Sequence, residues 1–360
     1  MNQISETSPA APFNSILAGP LEVGEPDVSG PLAVFPILGP EPELDYQSFA
    51  KAHAASEIAI GELAGGASVN DLAVDNLGDK PVLLYEGEEL LGAQQNRVLD
   101  ISLLIAAKTK TRIPVSCVEA GRWDGRRRNE RFRPSRQAAD PEMRKLKHRR
   151  VRERVAMGEP ARANQGEVWN EVGNRLEALA VPSPTAAMSD LYQDRRANLG
   201  EIGKPIRLHE GQCGAVCAIN GQISILDYVG RPDVWADLHP ALLEGYALDA
   251  LRFAQGQDDV AEPPEIGTVR GFTLLVTDAP ADNRRHEAGL GETVRFAAGG
   301  VAGSALVVPL AERVAGSAGR DELVQLTAYP DGSGPGEHSE PEPDRATRTR
   351  VRRPSRRRSR

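Results

Sequence analysis

Aromatic side chains make up only 4% of these 360 residues, so a core drawn from 40% hydrophobic residues has to be filled by Leu, Val, Ile and Ala. The three cysteines are an odd number; they exclude a disulfide framework and make a reducing compartment the expectation. No stretch reaches the roughly 18 apolar residues of a membrane span. Met1 to Pro12 has neither a basic start nor an apolar run, so no signal peptide, no membrane partner and a cytoplasmic location are expected. HExxH, GxSxG, a phosphate-binding loop and a dinucleotide fingerprint are all missing, which excludes the commonest hydrolase and nucleotide-enzyme signatures. Repeats of solenoid period are missing too.

What is abundant is turn chemistry and charge. Gly at 35 and Pro at 27 call for many turns, and the length allows two average domains or one large one with insertions. The net charge of -8 hides a division. Arg122 to Arg154 holds 14 Lys/Arg against 5 Asp/Glu, net +9, and Arg345 to Arg360 holds nine Arg and no acid, again +9, which leaves -26 on the remainder. An acidic body thus carries a basic internal segment and a basic tail, each suited to a polyanion or to the body itself.

Short strands are predicted at Leu32 to Leu38, Ser56 to Leu63, Val69 to Asn76, Val82 to Tyr85, Arg97 to Ile105 and Ile113 to Val118, with no helix between them. That run speaks against a doubly wound parallel sheet. The period then changes. Asp140 caps a helix with Pro141 at its first position and an apolar stripe of Met143, Leu146, Val151 and Val155. A second helix spans Gln165 to Leu179 on Val168, Val172, Leu176 and Leu179, and a third begins at Ser183 and aligns Met188, Leu191, Arg195 and Leu199.

Strands return at Ala215 to Ile219 and Ile223 to Val229, joined by Asn220-Gly221, a strong hairpin signal. Leu238 to Ala254 reads as a helix and Gln255 to Gly267 as an acidic linker. Thr268 to Thr277, Glu292 to Ala297, Ser304 to Leu310 and, within 311–330, Glu322 to Ala328 read as closing strands. The expected fold is therefore α+β, an antiparallel β-rich core, sandwich or barrel-like, with inserted helices. A helical segment at 140–200 is expected between the β-rich parts, with disorder over 1–12 and an Arg-rich disordered tail over 331–360.

Chemistry concentrates between Pro81 and Trp123. Glu86, Glu88 and Glu89 suit a general base, a metal ligand or an acceptor for a ribose hydroxyl; Glu86 and Glu88 share a side if the strand continues through Gly87. The same spacing also describes an acidic turn in solvent. Gln95, Asn96 and Arg97 offer planar amides and a guanidinium fork for a carboxylate or phosphate, or equally a hairpin bonding its own backbone. Cys117 alternates with Ile113 and Val115, which favours a buried thiol over a nucleophile. Glu119, Arg122 and Trp123 stand just past a strand end, where Trp123 suits stacking on a planar ligand or covering the core. His209, Cys213 and Cys217 mimic metal ligands, but the two cysteines, on one strand face, are spaced too far apart for one zinc, so no metal is assigned.

Glu88, Gly92, Gln95-Asn96-Arg97, the run Ile113 to Glu119, and Arg122-Trp123 resemble the ADP-ribosylglycohydrolase and rhodanese-phosphatase-superfamily-associated protein domain family. QGEVW at Gln165 to Trp169 and GQCGAVCAING at Gly211 to Gly221 resemble its later motifs, and the likeness covers about residues 13–310, which implies one large domain over that span. The resemblance implies binding or processing of an NAD-derived or ADP-ribose-like nucleotide. Glu88, Glu119 and Cys117 are then the catalytic candidates, and Gln95, Asn96, Arg97, Arg122 and Trp123 the binding candidates; no cofactor is assigned. The alternative is a non-catalytic interaction protein whose basic segment and tail hold nucleic acid or an acidic protein.

Overall fold

The first strands of the chain are short and mostly pair with near neighbours, while Leu32–Leu38 also pairs with a strand far along the sequence, at Gln212–Ile219, so the large sheet joins distant segments. The computed structural model describes residues 11–66, 68–255, 259–281, 283–309 and 321–331. In chain order these are β1 (Glu22–Val23), β2 (Asp27–Ser29), β3 (Leu32–Leu38), β4 (Gln47–Ser48) and α1 (Phe49–Ala54). Then come β5 (Ile58–Gly61), β6 (Asp71–Asn76), β7 (Val82–Leu84), β8 (Glu88–Leu91), β9 (Arg97–Leu99), β10 (Leu103–Ile105), β11 (Lys110–Cys117) and β12 (Arg133–Ala138). Helices α2 (Pro141–Ala156), α3 (Gln165–Ala178), α4 (Met188–Asp194) and α5 (Arg196–Gly203) follow, then β13 (Gln212–Ile219) and β14 (Gln222–Val229). The described chain closes with α6 (Pro232–Ala254), α7 (Ile266–Thr277), β15 (Arg284–Arg285), β16 (Glu292–Ala298), β17 (Val301–Pro309) and β18 (Asp321–Pro330).

The fold is the expected α+β type with a β-rich core. A nine-stranded sheet runs β1-β3-β13-β14-β18-β17-β16-β15, with β2 also on β3; a six-stranded sheet runs β12-β8-β9-β11-β6-β5; β10-β7-β4 make a third. Every described pairing is antiparallel except β4 with β7. The large sheet is buried on both faces. One face packs against α7 through Val269, Phe272 and Val276, and the other against α6 through Trp235, Leu238, Leu242 and Tyr246. The six-stranded sheet shares its apolar core with α2 to α5.

Local signals explain several elements. Asn220 and Gly221 both take positive φ, 47° and 76°, the conformation of a two-residue hairpin whose twist matches its strands. Asp140 accepts the Met143 amide at 3.0 Å and Pro141 fills the first helical position, starting α2 as predicted. α3 buries Val168, Val172 and Leu176 as its period requires, and Leu179 caps it, also buried.

Other expectations need correcting. Thr268 to Thr277 is helix α7, not a strand: Val269, Phe272, Thr273 and Val276 are buried while Leu274 is 61% exposed, a spacing of three and four that a pleated strand cannot produce. Arg97 to Ile105 is not one strand. Asp100 accepts the Ser116 hydroxyl at 2.7 Å, the Ala163 amide at 3.2 Å and the Lys147 ammonium at 3.0 Å, and this buried knot breaks the run into β9 and β10 in different sheets. The third predicted helix is two, α4 and α5, meeting at Arg195. α1 was hidden because six residues are too few to show a period; Ser48 caps it by accepting from the Lys51 amide.

The stripe assigned to α2 is also incomplete. Arg144, Lys147 and His148 face inward beside Met143 and Val151, while Leu146 is half-buried. The expected disorder over 1–12 and 331–360 falls almost wholly outside the described residues. Among the described residues no helix is long and apolar enough to cross a membrane.

Candidate functional site

The pairing of β9 with β11 sets Arg97 opposite Cys117, and its pairing with β8 sets Arg97 opposite Leu90. Strand alternation therefore puts Arg97 and Cys117 on one face. Arg97 is fully buried, an expensive place for a guanidinium unless it is partnered. Its Nη1 donates to Gln95 Oε1 at 3.0 Å, Nη2 reaches the Ser68 carbonyl at 3.4 Å, and the Glu62 carboxylate lies 3.8 Å away. Above it sits the ring of Trp123, 5.8 Å from Cζ to the centroid and 49% exposed. This is cation–π distance.

Around Arg97 the polar groups are incompletely satisfied. Gln94 Oε1 and Arg97 Nε are buried without a hydrogen-bond partner, and the Glu62 carboxylate has only its 3.8 Å ion pair with Arg97 and a weak contact from the Gln94 backbone. Burial pushes the Glu62 carboxyl above its ordinary range, with Arg97 pulling it back. Burial also lowers the Arg97 pKa, opposed by Cys117 and Glu62. Unpartnered buried groups are rare in native proteins and mark places where a ligand or water completes the set.

Glu119 stands at the centre of a closed ring beside them. Its Oε1 accepts from Thr185 at 2.9 Å, and its Oε2 accepts from the Asn96 amide at 3.2 Å and from Arg122 Nη2 at 2.6 Å. Arg122 also donates to Asn96 Oδ1 at 3.0 Å and to the Ala93 carbonyl at 2.8 Å, and Gln95 Nε2 donates to the Glu119 carbonyl at 3.0 Å. Gly121 permits the turn, since a Cβ there would lie 2.9 Å from Thr185 Cα. These residues brace Gln95, which in turn orients Arg97.

Cys117 is buried, and burial raises its thiol pKa despite the nearby Arg97 charge. A thiol held protonated is a poor nucleophile. Gln165, in the QGEVW segment, clips the strand by bonding both the amide and the carbonyl of Cys117 at 2.8 Å.

The acidic run after β7 separates rather than converges. Gly87 takes φ +89° and the Glu88 amide donates to the Tyr85 carbonyl at 3.1 Å, so the chain turns there and Glu86 and Glu88 do not continue one strand. All three acids are buried, so the solvent-exposed turn is also overturned. Glu88 Oε2 accepts the Tyr85 amide at 2.7 Å, and burial pushes its carboxyl up to about 8. Glu89 is likewise raised to about 8 by burial and feels the charge of Glu119; Gln137 donates to its Oε2 while Oε1 has no partner. Among the described residues no hydrogen bond or ion pair joins Glu88 to Arg97, Glu119 or Trp123.

Sequence reasoning missed Glu62 and Gln94, which carry no motif; Gln94 adjoins the amide pair already singled out. It also missed a second buried polar centre. Arg144 Nη1 and Nη2 grip Asp227 at 2.8 and 2.6 Å, and the hydroxyls of Tyr85 and Tyr246 donate to the same carboxylate at 2.6 and 2.7 Å. Glu86 joins through Arg144 at 3.3 Å and Tyr329 at 3.2 Å. The basic segment is thus largely committed: Arg144 and Lys147 inside, Arg150 with Glu153 and Glu167, and Arg154 with Glu159.

Cys213 and Cys217 do not share a face. A register shift between Gln212 and Gly214 against β3 turns Cys213 into the α7 side of the large sheet, while Cys217 packs on the α6 side. His209 Nε2 pairs with Asp27 at 2.9 Å instead.

With the β8-to-β12 geometry in place, a family model for the ARG and rhodanese-phosphatase-superfamily-associated protein domain matches residues 20–329. The chain belongs to this family. The family domain runs past residue 310 to take in β18, and so contains the Arg97, Glu119 and Asp227 centres together. No curated protein and no solved structure matches the chain.

Proposed function

We propose that this family domain binds or processes an NAD-derived or ADP-ribose-like nucleotide at the corner formed by Glu62, Gln94, Arg97 and Trp123. The observation that carries the reading is the buried, incompletely satisfied Arg97–Glu62 pair, whose guanidinium lies 5.8 Å from the centroid of the half-exposed Trp123 ring. An indole face suits an adenine ring, a guanidinium suits a diphosphate, and a carboxylate suits ribose hydroxyls. Glu62 takes the ribose-binding or water-activating part, since both Glu119 oxygens are occupied by Thr185, Asn96 and Arg122 and Glu88 is held by the Tyr85 amide. Gln95, Asn96, Glu119 and Arg122 hold the corner in shape, and Cys117 backs Arg97. The family's description, with ARG read as ADP-ribosylglycohydrolase, supports the same ligand class by association.

Titration calorimetry with NAD, ADP-ribose and AMP tests this. Binding by the parent protein that disappears in Trp123→Ala and Glu62→Gln is the expected result, and absence of heat for all three ligands with the parent overturns it. The alternative, a nucleic-acid or acidic-protein partner held by the basic segment, draws less support because so many of that segment's cations are already paired. A gel shift on RNA that weakens steeply with salt would favour it.

A further inference from the structure

A cavity of about 470 Å³ opens between α2, α3 and the strands β17 and β18, and none of the Trp123-corner residues lines it. Its floor is the ring of Tyr329, 5.5 Å from the His148 ring, with Leu146 and Ala302 adding apolar surface. Both signs of charge line it, but they are not equally free. Glu142 pairs with Arg252 at 3.0 Å, Glu171 with Arg175, and Asp331 with Arg152 at 3.5 Å.

The donors are less committed. The Arg149 side chain makes no ion pair or hydrogen bond among the described residues, and the Lys145 ammonium donates only to the Pro330 carbonyl, at 2.8 Å. His148 is 6% exposed and its Nε2 has no partner. Subtracting the paired acids leaves two cations and a neutral imidazole facing a partly aromatic space. Such a wall attracts a dianion with an organic part. The volume is in the range of small-molecule sites and generous for bare orthophosphate.

We propose that this cavity is a second ligand site that takes a phosphate monoester of small-metabolite size. Arg149 and Lys145 hold the phosphate, and His148 and Tyr329 face the organic part. The site is independent of the Trp123 corner, so it stands or falls separately from the nucleotide reading.

The test is calorimetry with ribose 5-phosphate and glycerol 3-phosphate, neither of which has a base for Trp123, on the parent, Arg149→Ala, Lys145→Ala and Trp123→Ala proteins. Arg149 and Lys145 are exposed, so their removal leaves the fold intact. The expected result is binding by parent and Trp123→Ala alike, weakened roughly ten-fold or more in each cavity variant, the size of one lost charge-assisted hydrogen bond. Failure of both esters to bind the parent, unchanged binding by both cavity variants, or loss in Trp123→Ala instead would overturn the proposal.

Discussion

Arg144 and Asp227 meet through two parallel hydrogen bonds, 2.8 and 2.6 Å long, although 83 residues separate them in sequence. Tyr85 and Tyr246 add their hydroxyls to the same carboxylate, so Asp227 is surrounded by donors on every side. Each partner was taken out of water to reach this position, and only the other makes that tolerable.

Arg144→Ala leaves the Asp227 charge buried with two phenols and a threonine, and stability should fall by about 3–5 kcal/mol. Urea unfolding of the variant checks this. A loss under about 1 kcal/mol would mean that the tyrosines alone solvate the carboxylate.

Glu89 gives a pH signature of the opposite sign to the usual acid. Its folded pKa, about 8, lies above the ordinary 4.5, so the folded protein holds a proton that the unfolded chain has released. That contribution is fully present below pH 4.5 and is lost as pH rises toward 8. Glu89→Gln, which keeps the Gln137 side of the contact, should flatten the decline in stability between pH 5 and 8 by about 1.4 kcal/mol per pH unit. Parallel curves for variant and parent would show that Glu89 is ionised in the fold.

His148 works at the acid end. Burial lowers its pKa from 6.5 to about 4, so the unfolded chain takes a proton that the folded protein refuses. Stability should drop as pH falls from 6.5 to 4, by up to about 3 kcal/mol from this group. His148→Gln should remove that part of the acid sensitivity in thermal melts, and an unchanged acid limb would refute the assignment.

Trp123 should separate function from folding. Half exposed at a strand-end loop, it contributes little burial, and Trp123→Ala should change stability by under about 1 kcal/mol. Circular dichroism melts check this part. The same substitution should abolish nucleotide binding, and retained affinity would detach the indole from the site.

What the sequence made legible was local. β3, the Asn220-Gly221 hairpin, the Asp140 cap and the α3 stripe each carry their cause within a few residues, and each is found where periodicity and turn chemistry place it. α7 was misread because Thr268, Val269, Thr273, Val276 and Thr277 are strand-prone types, while the spacing of what they bury is helical. The inward charges of α2 were invisible for another reason: Arg144 sits in a basic run that reads as solvated surface, and nothing nearby announces Asp227. At the Trp123 corner, Arg97 and Trp123 stood out by type and position. Glu62 did not, because an acid after a short strand is ordinary until its neighbours are known. The Gly87 turn shows how one positive φ redirects two acids that simple alternation had placed together.

The Arg144–Asp227 centre also dictates when the molecule can be finished. Tyr85 finds Asp227 142 residues later in the chain, and Thr327 242 residues later. A ribosome delivering this protein from its N-terminus therefore releases β3, Tyr85 and the charged face of α2 long before their neighbours exist. Among the described strands β17 and β18 arrive last, and β18 supplies the Thr327 hydroxyl and the Tyr329 ring that complete the centre. Arg144 can meet Asp227 once β14 is made, but Asp227 waits for the Thr327 hydroxyl and Glu86 for the Tyr329 hydroxyl until β18 follows, so long-range closure of this centre is the late part of synthesis.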